Sequence, residues 1–352
     1  MSDGAAPPPA RRGARPSRSV TAVDVARAAG VSKSAVSRTF SVDRSNLVAE
    51  ERRRAILSAA AELGYRPNRM ASSLARGGQS GLVGVLIGNF VNPMYLQILG
   101  TVAHELKSRE LHGIVFNTED PDDVTDAVRL VLGYQVDGLL VTSTALTLSV
   151  VTDCRSFGVP IVSMFGAETG SGVTGVETEN DVGGRLIGEH LLARGARRIA
   201  FISGHVPTSE PRLGGLRQAL EAGGCELAAV VEAGYYAYEA GAGAMRSLLR
   251  DSDIDAVFCA DDNLALGAMD VARYEFGRDI PGELMIAGFD DIPAAAWRGY
   301  DLTTVRQPVE RIVPAAVRLL AGQIVKESIP PAASKLISGD LVVRGSTARG
   351  TL

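Results

Sequence analysis

The sequence predicts an all-α helix-turn-helix headpiece at the N-terminus, followed by a larger α/β domain made of two lobes. Residues 21–40 form two short amphipathic stretches that are joined by a glycine. From residue 81 onward, short apolar runs alternate with stretches of helical periodicity. Such alternation is typical of parallel sheets with helices on both faces. About nine apolar runs are too many for one open sheet, so we expect two lobes of four to six strands each.

The first helix begins at Thr21, whose side chain can cap it, and Asp24 stands where it completes a capping box. Gly30 allows the tight turn to the second helix. Ser32 is suited to cap that second helix. We expect four small apolar residues to form the inward face of the first helix. They are Val23, Val25, Ala26 and Ala29.

The second helix has the composition of a helix that contacts DNA. Val31 and Val36 face inward in this prediction, which leaves polar and basic side chains outward near the helix N-terminus. Such side chains suit contacts to phosphates and base edges. Because serine hydrogen-bonds several bases, Ser34 leaves the recognised sequence open. The residues predicted to contact DNA in this segment are Thr21, Ser32, Lys33, Ser34, Ser37 and Arg38.

Charge is divided unequally along the chain. Residues 1–78 hold 14 lysines and arginines against 6 acidic residues, a formal charge of +8, whereas the remainder holds 22 against 34, which gives −12. A basic N-terminal segment on an acidic body is typical of a tethered DNA-binding module. Residues 1–19 are rich in proline, alanine, glycine and arginine, so we expect a disordered basic tail that either contacts DNA or is merely solvated.

Two further helices are predicted before the α/β domain. One covers residues 49–63 and stops at Gly64. The other is short and starts at Asn68 after Pro67. Since helices under about 12 residues are marginal in water, we expect this short helix to fold only with a partner. The apolar stripe of the longer helix consists of Ile56, Ala59, Ala60 and Leu63.

Several classes of function find no support in the sequence. No apolar run reaches the roughly 18 residues of a membrane span, so no membrane partner is expected. The histidines form no ligand pair, no nucleophile stands with a base, and the glycines of residues 183–188 lack the dinucleotide fingerprint. We therefore expect no metal, no cofactor and no enzymatic activity. Three scattered cysteines favour a reducing cytoplasm, and we interpret Cys154, Cys225 and Cys259 as buried small apolar residues.

The helix-turn-helix segment resembles that of the lactose-repressor (LacI/GalR) family of transcriptional regulators. The matching residues are Thr21, Asp24, Val25, Ala26, Ala29, Gly30, Val31, Ser32, Val36, Ser37 and Arg38. The short helix resembles the family's hinge helix, through a Tyr-x-Pro-Asn entry that begins at Tyr65 and a central leucine, Leu74. The resemblance implies that Asn68, Ala71 and Leu74 contact DNA and that Leu74 wedges into the minor groove. Packing within a linker is the alternative for Leu74.

The rest of the chain resembles the type I periplasmic-binding-protein core that follows the headpiece in this family. The motifs that carry the resemblance are Asn92-Pro93-Met94-Tyr95, Arg212-Leu-Gly-Gly215, Ala260–Gly267, Gly288–Ile292, Leu302–Pro308 and Leu341–Thr347. The resemblance implies a headpiece over 20–66, a hinge helix and linker over 67–80, and an effector-binding and dimerisation domain over 81–352. Its lobe 1 is expected at about 81–177 and 293–327, and lobe 2 at about 178–292 and 328–346.

Folds of this kind bind ligands at the carboxyl ends of their strands, between the lobes. The resemblance implies that Arg212 and Asp290 grip an effector, and we expect them to act from opposite lobes. Asp290 is otherwise a cap of the following segment, and Tyr236 is either an aromatic floor of the site or a core residue. Phe165 would make the wall partly apolar. The predicted effector-binding residues are Met94, Tyr95, Phe165, Thr208, Arg212, Tyr236, Asp261 and Asp290.

Together these features predict a cytoplasmic, homodimeric regulator of transcription that acts as a repressor. Its expected partners are a pseudo-palindromic operator DNA and a small effector, either sugar-like or another small metabolite. Whether the effector releases or promotes DNA binding stays open. A solute-binding receptor of a transporter is the alternative, but residues 21–40 would then have no purpose. An enzyme of the doubly wound class is a further alternative, without a nucleophile–base set to support it.

Overall fold

The computed structural model of the protein describes residues 20–40, 47–66, 79–88, 92–117, 121–142, 148–165, 172–204, 208–325 and 335–348. The chain divides into two compact units, Met1–Ser80 and Gly81–Leu352. The predicted tail and hinge helix lie outside the described residues, and so do Asn68, Ala71 and Leu74. Their predicted contacts with DNA stay predictions.

The first unit contains three helices around a small core. They are α1 (Ala22–Ala28), α2 (Lys33–Thr39) and α3 (Glu50–Leu63). The capping box is formed, because the Thr21 hydroxyl accepts the Asp24 N–H at 3.4 Å and the Asp24 carboxylate accepts the Thr21 N–H at 2.9 Å. Gly30 adopts a φ of +64°, which glycine reaches without strain. The core consists of Val25, Ala26, Val36, Ile56, Ala59 and Ala60.

Two apolar residues of this unit are not where the sequence placed them. Val23 is 44% exposed, and Leu63 is 39% exposed. The inward stripe of α1 runs through Val25, so Val23, two residues before it, lies on the opposite side of the helix. Leu63 is the last residue of α3, because the helix ends at Gly64, which adopts a left-handed conformation with a φ of +66°. Its side chain therefore lies at the end of the helix, away from the core. Ala22 takes the place that Val23 was expected to fill.

The second unit contains two six-stranded sheets with helices packed on them. The first sheet has the order β11-β5-β4-β3-β1-β2, and all its pairs are parallel. Its strands are β1 (Leu82–Ile87), β2 (His112–Asn117), β3 (Gly138–Thr142), β4 (Ile161–Met164), β5 (Thr174–Thr178) and β11 (Lys335–Ile337). Helices α4 (Met94–Lys107), α5 (Pro121–Gly133) and α6 (Leu148–Ser156) connect its first four strands in chain order.

The second sheet has the order β12-β10-β9-β8-β6-β7, and only its β10–β12 pair is antiparallel. Its strands are β6 (Ile199–Ser203), β7 (Leu227–Glu232), β8 (Ala256–Cys259), β9 (Met285–Asp290), β10 (Thr303–Arg306) and β12 (Asp340–Val342). The helices of this half are α7 (Asn180–Ala193), α8 (Ser209–Ala222), α9 (Tyr238–Asp251) and α10 (Asp262–Asp270), and α10 continues into a π-helical turn, Val271–Glu275. Short 3-10 helices cover Pro293–Ala296 and Gly345–Thr347, and α11 covers Val309–Ile324.

The predicted boundaries between the lobes need two corrections. Residues 303–306 were expected in lobe 1, but β10 pairs in parallel with β9 of the second sheet. Residues 335–337 were expected in lobe 2, but β11 pairs with β5 of the first sheet. The return of the chain to the first lobe therefore comes after β10 and not before it, since α11 packs against α4 and against β3, β4 and β5 of the first sheet. Both strands are short and contain charged or hydroxyl side chains, so neither forms the apolar run that predicts a buried strand.

Helices α7 and α8 touch through their backbones. A Cβ built on Gly184 would lie 2.0 Å from the carbonyl oxygen of Arg212, and one on Gly215 would lie 1.8 Å from that of Asp181. The glycine cluster that lacks a dinucleotide fingerprint therefore serves close helix packing. This packing holds the start of α8, which carries Arg212, against α7.

The described chain confirms the predicted fold class, an all-α headpiece unit followed by a two-lobed α/β unit. Within the described ranges, no helix is long and apolar enough to cross a membrane. Cys154 and Cys259 are buried as expected, whereas Cys225 is only partly buried, because it stands in the turn after α8.

Candidate ligand cleft and nucleic-acid interface

The second helix of the headpiece presents a continuous polar surface. Ser32, Lys33, Ser34, Ser37 and Arg38 are all exposed, while Val36 and Thr39 are buried beneath them. Valine and threonine at this spacing fix which side of α2 faces the other helices. The exposed side carries one lysine and one arginine and no acidic residue, so it suits a negatively charged partner.

Two of the residues that were predicted to contact DNA also hold the helices in place. The Thr21 hydroxyl donates to the Asp24 carboxylate at 2.7 Å. The Ser32 hydroxyl accepts the Ala35 N–H at 3.2 Å and lies 2.9 Å from the Ser34 hydroxyl. The side chains of this set that can best reach a ligand are Lys33, Ser37 and Arg38, because each is exposed on α2 beyond the cap.

In the larger unit, polar side chains gather where parallel strands end. Asn92 precedes α4, which follows β1 in the chain, Asp261 follows β8, Asp290 ends β9 and Gln307 follows β10. Arg212 lies in the first turn of α8, which follows β6. The carboxyl ends of parallel strands lie at one edge of a sheet, so these residues face the cleft between the lobes.

One side chain of the first lobe hydrogen-bonds the second lobe directly. The amide nitrogen of Asn92 donates to Oδ2 of Asp290 at 2.8 Å and approaches Oδ2 of Asp261 at 3.4 Å. The amide oxygen of Asn92 accepts the N–H of Met94 at 2.9 Å, which fixes the orientation of the amide. Asn92 is buried, with 3% of its surface exposed. The bond therefore joins the two lobes in a region shielded from water.

A second connection between the lobes runs through Gln307. Its amide nitrogen donates to Oδ1 of Asp290 at 3.0 Å, and its amide oxygen accepts from the Thr178 hydroxyl at 2.5 Å. Thr178 ends β5 of the first sheet, whereas Asp290 ends β9 of the second. Asp290 is thus the shared acceptor for donors from both sides of the cleft.

Arg212 is a buried cation with its own protein partners. Its Nε donates to Oδ1 of Asn180 at 2.8 Å, and its Nη1 donates to the carbonyl oxygen of Ala260. Its Nη2 lies 3.8 Å from Oδ1 of Asp290, and the guanidinium stands 3.7 Å above the centre of the Phe289 ring. A buried charge is tolerated only when it is paired and hydrogen-bonded in this way.

The expectation that Arg212 and Asp290 act from opposite lobes is wrong. Arg212 lies on α8, which connects β6 and β7, and Asp290 ends β9. All three strands belong to the second sheet. The lobe boundaries predicted from the sequence, with lobe 2 at about 178–292, already contained both residues, so the two expectations were inconsistent with each other. The first lobe contributes Asn92 and Thr178 instead.

Burial perturbs the carboxyl groups of the cleft. It raises the pKa of Asp261 to about 7, with a further rise from the neighbouring Asp290. Burial also raises the pKa of Asp290. Arg212, Asn92 and Gln307 oppose this rise, because they stabilise the ionised carboxylate. Burial raises the pKa of Asp262 as well. The carboxyl of Asp262 accepts the Thr304 hydroxyl at 2.6 Å and the Ile292 N–H at 2.9 Å, so it holds the end of β9 in place.

The backbone at the end of β9 is strained. Asp290 has a φ of +122° and Asp291 a φ of +57°. Non-glycine residues in this region cost about 1–3 kcal/mol each, and such strain clusters at functional sites. The Asp291 carboxylate is held by Arg306 and Arg344, each at 2.6 Å. The carboxylate of Asp290 accepts from the Asn92 and Gln307 side chains, which differs from the capping role considered for it.

The other predicted ligand contacts lie around this network. Met94 and Tyr95 begin α4 and are buried in the core. Phe165 directly follows β4 and is buried at a φ of +65°. Thr208 precedes α8. The Tyr236 hydroxyl lies 2.8 Å from the Ser209 hydroxyl, and its ring contacts Gly204, so this side chain packs within the second lobe close to Arg212.

Sequence reasoning missed the amide residues of the network. Asn92 and Gln307 belong to motifs that were noted only for their resemblance, and Asn180 was not noted. Asparagine and glutamine are common on surfaces and carry no charge, so composition gives no signal for them. One signal in the sequence could have found Asn92. It stands with Pro93 at the start of a helix, a short loop after a buried strand, and a side chain in that position faces the strand ends.

The raised pKa of the buried Asp261 carboxyl leads to a test. Because the folded-state pKa of Asp261 is about 7, well above that of an unfolded aspartate near about 3.9, protonation stabilises the fold. This stabilisation is complete below the unfolded value and is lost as the pH rises through about 7. The melting temperature of Asp261→Asn, relative to wild type, should therefore increase from about pH 5 to about pH 8.

The exposed Asp340 provides the control for the substitution itself, and Asp340→Asn is measured beside Asp261→Asn at each pH. A flat difference for Asp261→Asn, measured by differential scanning fluorimetry, would mean that Asp261 ionises as a solvated carboxyl.

Comparisons with known proteins agree with this arrangement. A family model of bacterial regulatory proteins of the lacI family matches residues 21–68, and a periplasmic binding protein-like domain matches residues 189–347. The chain is 31% identical over 331 residues to the ribose operon repressor of Halalkalibacterium halodurans, which covers 93% of this chain and 97% of that one. It is 33% identical over 315 residues to the HTH-type transcriptional regulator CelR of Thermobifida fusca, covering 86% and 92%.

Two solved structures extend the likeness to three dimensions. A crystal structure of the Lac repressor dimer bound to operator and the anti-inducer ONPF superposes with a TM-score of 0.80 at 26% identity, over 94% of this chain and 99% of that one. A complex of the transcriptional regulator CelR with cellobiose superposes with a TM-score of 0.69 at 31% identity, over 93% and 99%. The relatives named here are regulators rather than enzymes. Within the described residues, no group of His, Cys, Asp and Glu could hold a metal ion.

Proposed function

The chain belongs to the LacI family of bacterial regulatory proteins, and on this premise we propose that it represses transcription from a pseudo-palindromic operator under control of an effector in the interlobe cleft. The observation that carries the proposal is the interlobe network at Asp290. Donors from both lobes converge on this one carboxylate, so a ligand that binds there changes how the lobes are joined. A DNA-binding headpiece on the same chain turns such a change into regulation.

In this proposal, α2 enters the major groove and contacts bases and phosphates through Lys33, Ser34, Ser37 and Arg38. Thr21 and Ser32 support it by capping α1 and α2. The proposal extends to Asn68, Ala71 and Leu74 through the family resemblance alone. Two such helices in a dimer would read the two halves of a palindrome.

Arg38→Ala should weaken operator binding by about 1–3 kcal/mol, since it removes an exposed donor from the groove-facing side of α2. The effect should appear in a gel-shift titration at constant salt. Arg250→Ala removes the same charge from an exposed position of α9 and should leave operator affinity unchanged. Equal affinities for wild type and Arg38→Ala would show that α2 reads the operator without this residue.

In the cleft, we propose that Arg212, Asp261 and Asp290 hold the effector together with Asn92. Met94, Tyr95, Phe165, Thr208 and Tyr236 are proposed to line the site around them. Effector binding would exchange the Asn92–Asp290 hydrogen bond for bonds to the ligand and thereby shift the relative position of the lobes. The ligand and the operator would then bias one equilibrium, and their coupling must be reciprocal.

We further propose that the protein is a homodimer whose interface includes an aromatic surface of the second lobe. Tyr274 is 80% exposed, and Trp297 is 62% exposed. Nearby, the hydroxyls of Tyr238 and Tyr300 both donate to Oδ2 of Asp270, at 2.8 and 3.0 Å. These bonds hold the rings of Tyr238 and Tyr300 in place. Exposed, ordered aromatic residues of this kind are enriched at protein interfaces. The Lac repressor, a structural neighbour, was solved as a dimer.

Tyr274→Glu should weaken the dimer by tenfold or more, since a charge at the centre of an apolar interface must be desolvated without a partner. Sedimentation velocity over a range of protein concentrations measures this. Phe157 is 69% exposed in the first lobe, beside α6, and Phe157→Glu is the matched control. If Tyr274→Glu dimerises like wild type, the aromatic surface is not part of the interface.

The experiment that tests the proposed function is selection of bound sequences from a random duplex DNA library by the purified full chain. We expect an enriched palindromic sequence whose affinity falls steeply with salt. A solute-binding receptor would enrich no sequence. Recovery of no common sequence at low salt would therefore contradict the proposal.

A further inference from the structure

The buried cluster at the cleft holds more carboxyl groups than cationic groups. Asp261 and Asp262 are fully buried, Asp290 is 6% exposed, and Arg212 is 2% exposed. Arg212 approaches Asp290 to 3.8 Å. Within the described part of the chain, no lysine or arginine nitrogen lies within 4.0 Å of Asp261 or Asp262. The cluster therefore contains three buried carboxyl groups and one buried guanidinium.

The single cation is also largely occupied. Arg212 donates to Asn180 and to the Ala260 carbonyl, and its guanidinium covers the Phe289 ring. An acidic ligand would gain little from a guanidinium held in this way. It would also stand beside Asp261 and Asp290, and two like charges in a site shielded from water repel strongly.

Asn92 marks where a ligand donor can sit. Its amide nitrogen lies between two carboxylates, 2.8 Å from Asp290 and 3.4 Å from Asp261. The amide cannot turn round, because its oxygen accepts the Met94 N–H. A hydroxyl or ammonium group at this place would make the same bonds, and bonds to an ionised acceptor are about twice as strong as neutral ones.

We propose that the cleft selects an effector that offers hydrogen-bond donors and no negative charge to Asp261 and Asp290, and that Asp261 sets this preference. The proposal rests on the proposed function, since it concerns the ligand of the same cleft. Arg212 approaches the Asp290 carboxylate to 3.8 Å, whereas Asp261 adds a second carboxyl that has no ion-pair partner within 4.0 Å among the described residues. Sugars and polyols offer hydroxyls, and amino sugars add an ammonium. Sugar acids and sugar phosphates belong to the excluded class.

The experiment is a thermal-shift assay of the full chain at a pH above 7, where Asp261 ionises. The probes are matched series for glucose, galactose, ribose and cellobiose, each with its neutral sugar, amino sugar, acid and phosphate ester where these exist. We expect stabilisation by neutral or amino members of at least one series. The acid and the phosphate of that series should bind at least about tenfold more weakly.

Asp261→Asn keeps the cap that Asp261 provides to α10, because its amide oxygen can still accept the Leu264 N–H that now lies at 2.8 Å. In this variant the discrimination against the acid should shrink by about tenfold. Exposed Asp340→Asn should leave the discrimination unchanged. A structural role of Asp261 alone would lower binding of all members equally.

Three results would overturn the inference. The first is stabilisation by an acid or a phosphate that is lost in Asp290→Ala, which would place an anion in the cleft and leave the proposed function standing. The second is equal discrimination in wild type and Asp261→Asn. The third is that no neutral or amino member of any series binds. The DNA selection does not depend on the ligand. A protein that selects a palindrome but gives one of these three results would therefore contradict the proposed ligand class and leave the proposed function standing.

Discussion

Arg212→Ala is expected to lower the free energy of unfolding of the two-lobed unit by about 3–5 kcal/mol, the cost of leaving one partner of a buried charge pair alone. Asp290 would lose the cation 3.8 Å away, and Asn180 and Ala260 would lose their donor. The Phe289 ring would lose the group stacked on it. The response to any effector found by thermal shift should disappear as well. Urea denaturation, followed by tryptophan fluorescence, measures the first effect.

Arg217 lies on the same helix and is exposed, so Arg217→Ala is the matched control and should change stability little. A loss below about 1 kcal/mol for Arg212→Ala would show that the carboxyls of the cleft take up protons at little cost. In that case Arg212 would not be the residue that balances the charge of Asp290.

Gly184→Ala is expected to be the second most damaging substitution. Its new methyl group would lie 2.0 Å from the carbonyl oxygen of Arg212. Backbone atoms cannot rotate away as side chains do, so α7 and α8 must separate. Overpacking of this kind costs about 1–3 kcal/mol and occasionally more. Separation of the helices should also displace Arg212, and effector binding should weaken beyond what the loss of stability explains.

Gly214→Ala on α8 tests whether the effect is steric. A Cβ at Gly214 would meet no atom within 4 Å, so this variant should be neutral or slightly more stable, by up to about 1 kcal/mol. Chemical denaturation measures both variants. If Gly184→Ala is as stable as Gly214→Ala, α7 and α8 do not touch through their backbones.

The predictable parts of the fold are those with a strong local signal. The capping box of Thr21 and Asp24, and the Gly30 turn, were read from residues that stand next to each other. The nine apolar runs all appear as strands. Seven of them are largely buried and read as continuous apolar stretches, whereas the edge strands β2 and β7 are partly exposed. Strands β10, β11 and β12 were not assigned, because each contains charged or hydroxyl side chains and none forms a continuous apolar run.

The cleft was predictable only in part. Asp261 and Asp290 lie at the ends of buried strands, where cleft residues belong, and the family resemblance implied Arg212 and Asp290. Their mutual contacts could not be read from sequence, because they depend on strand order. Asn92, Asn180 and Gln307 escaped because an uncharged amide next to a strand looks like any loop residue. The strained φ of Asp290, +122°, has no sequence signature, since aspartate rarely adopts it.

The proposed function requires that a ligand in the cleft controls the affinity for DNA. The direct test is to titrate the selected operator with the full chain, in the presence and absence of the sugar that stabilises it most. We predict a change in operator affinity of about 5–150-fold, in either direction, that is lost in Asp290→Ala. A sugar that saturates the wild-type cleft and leaves its operator affinity unchanged would contradict the account.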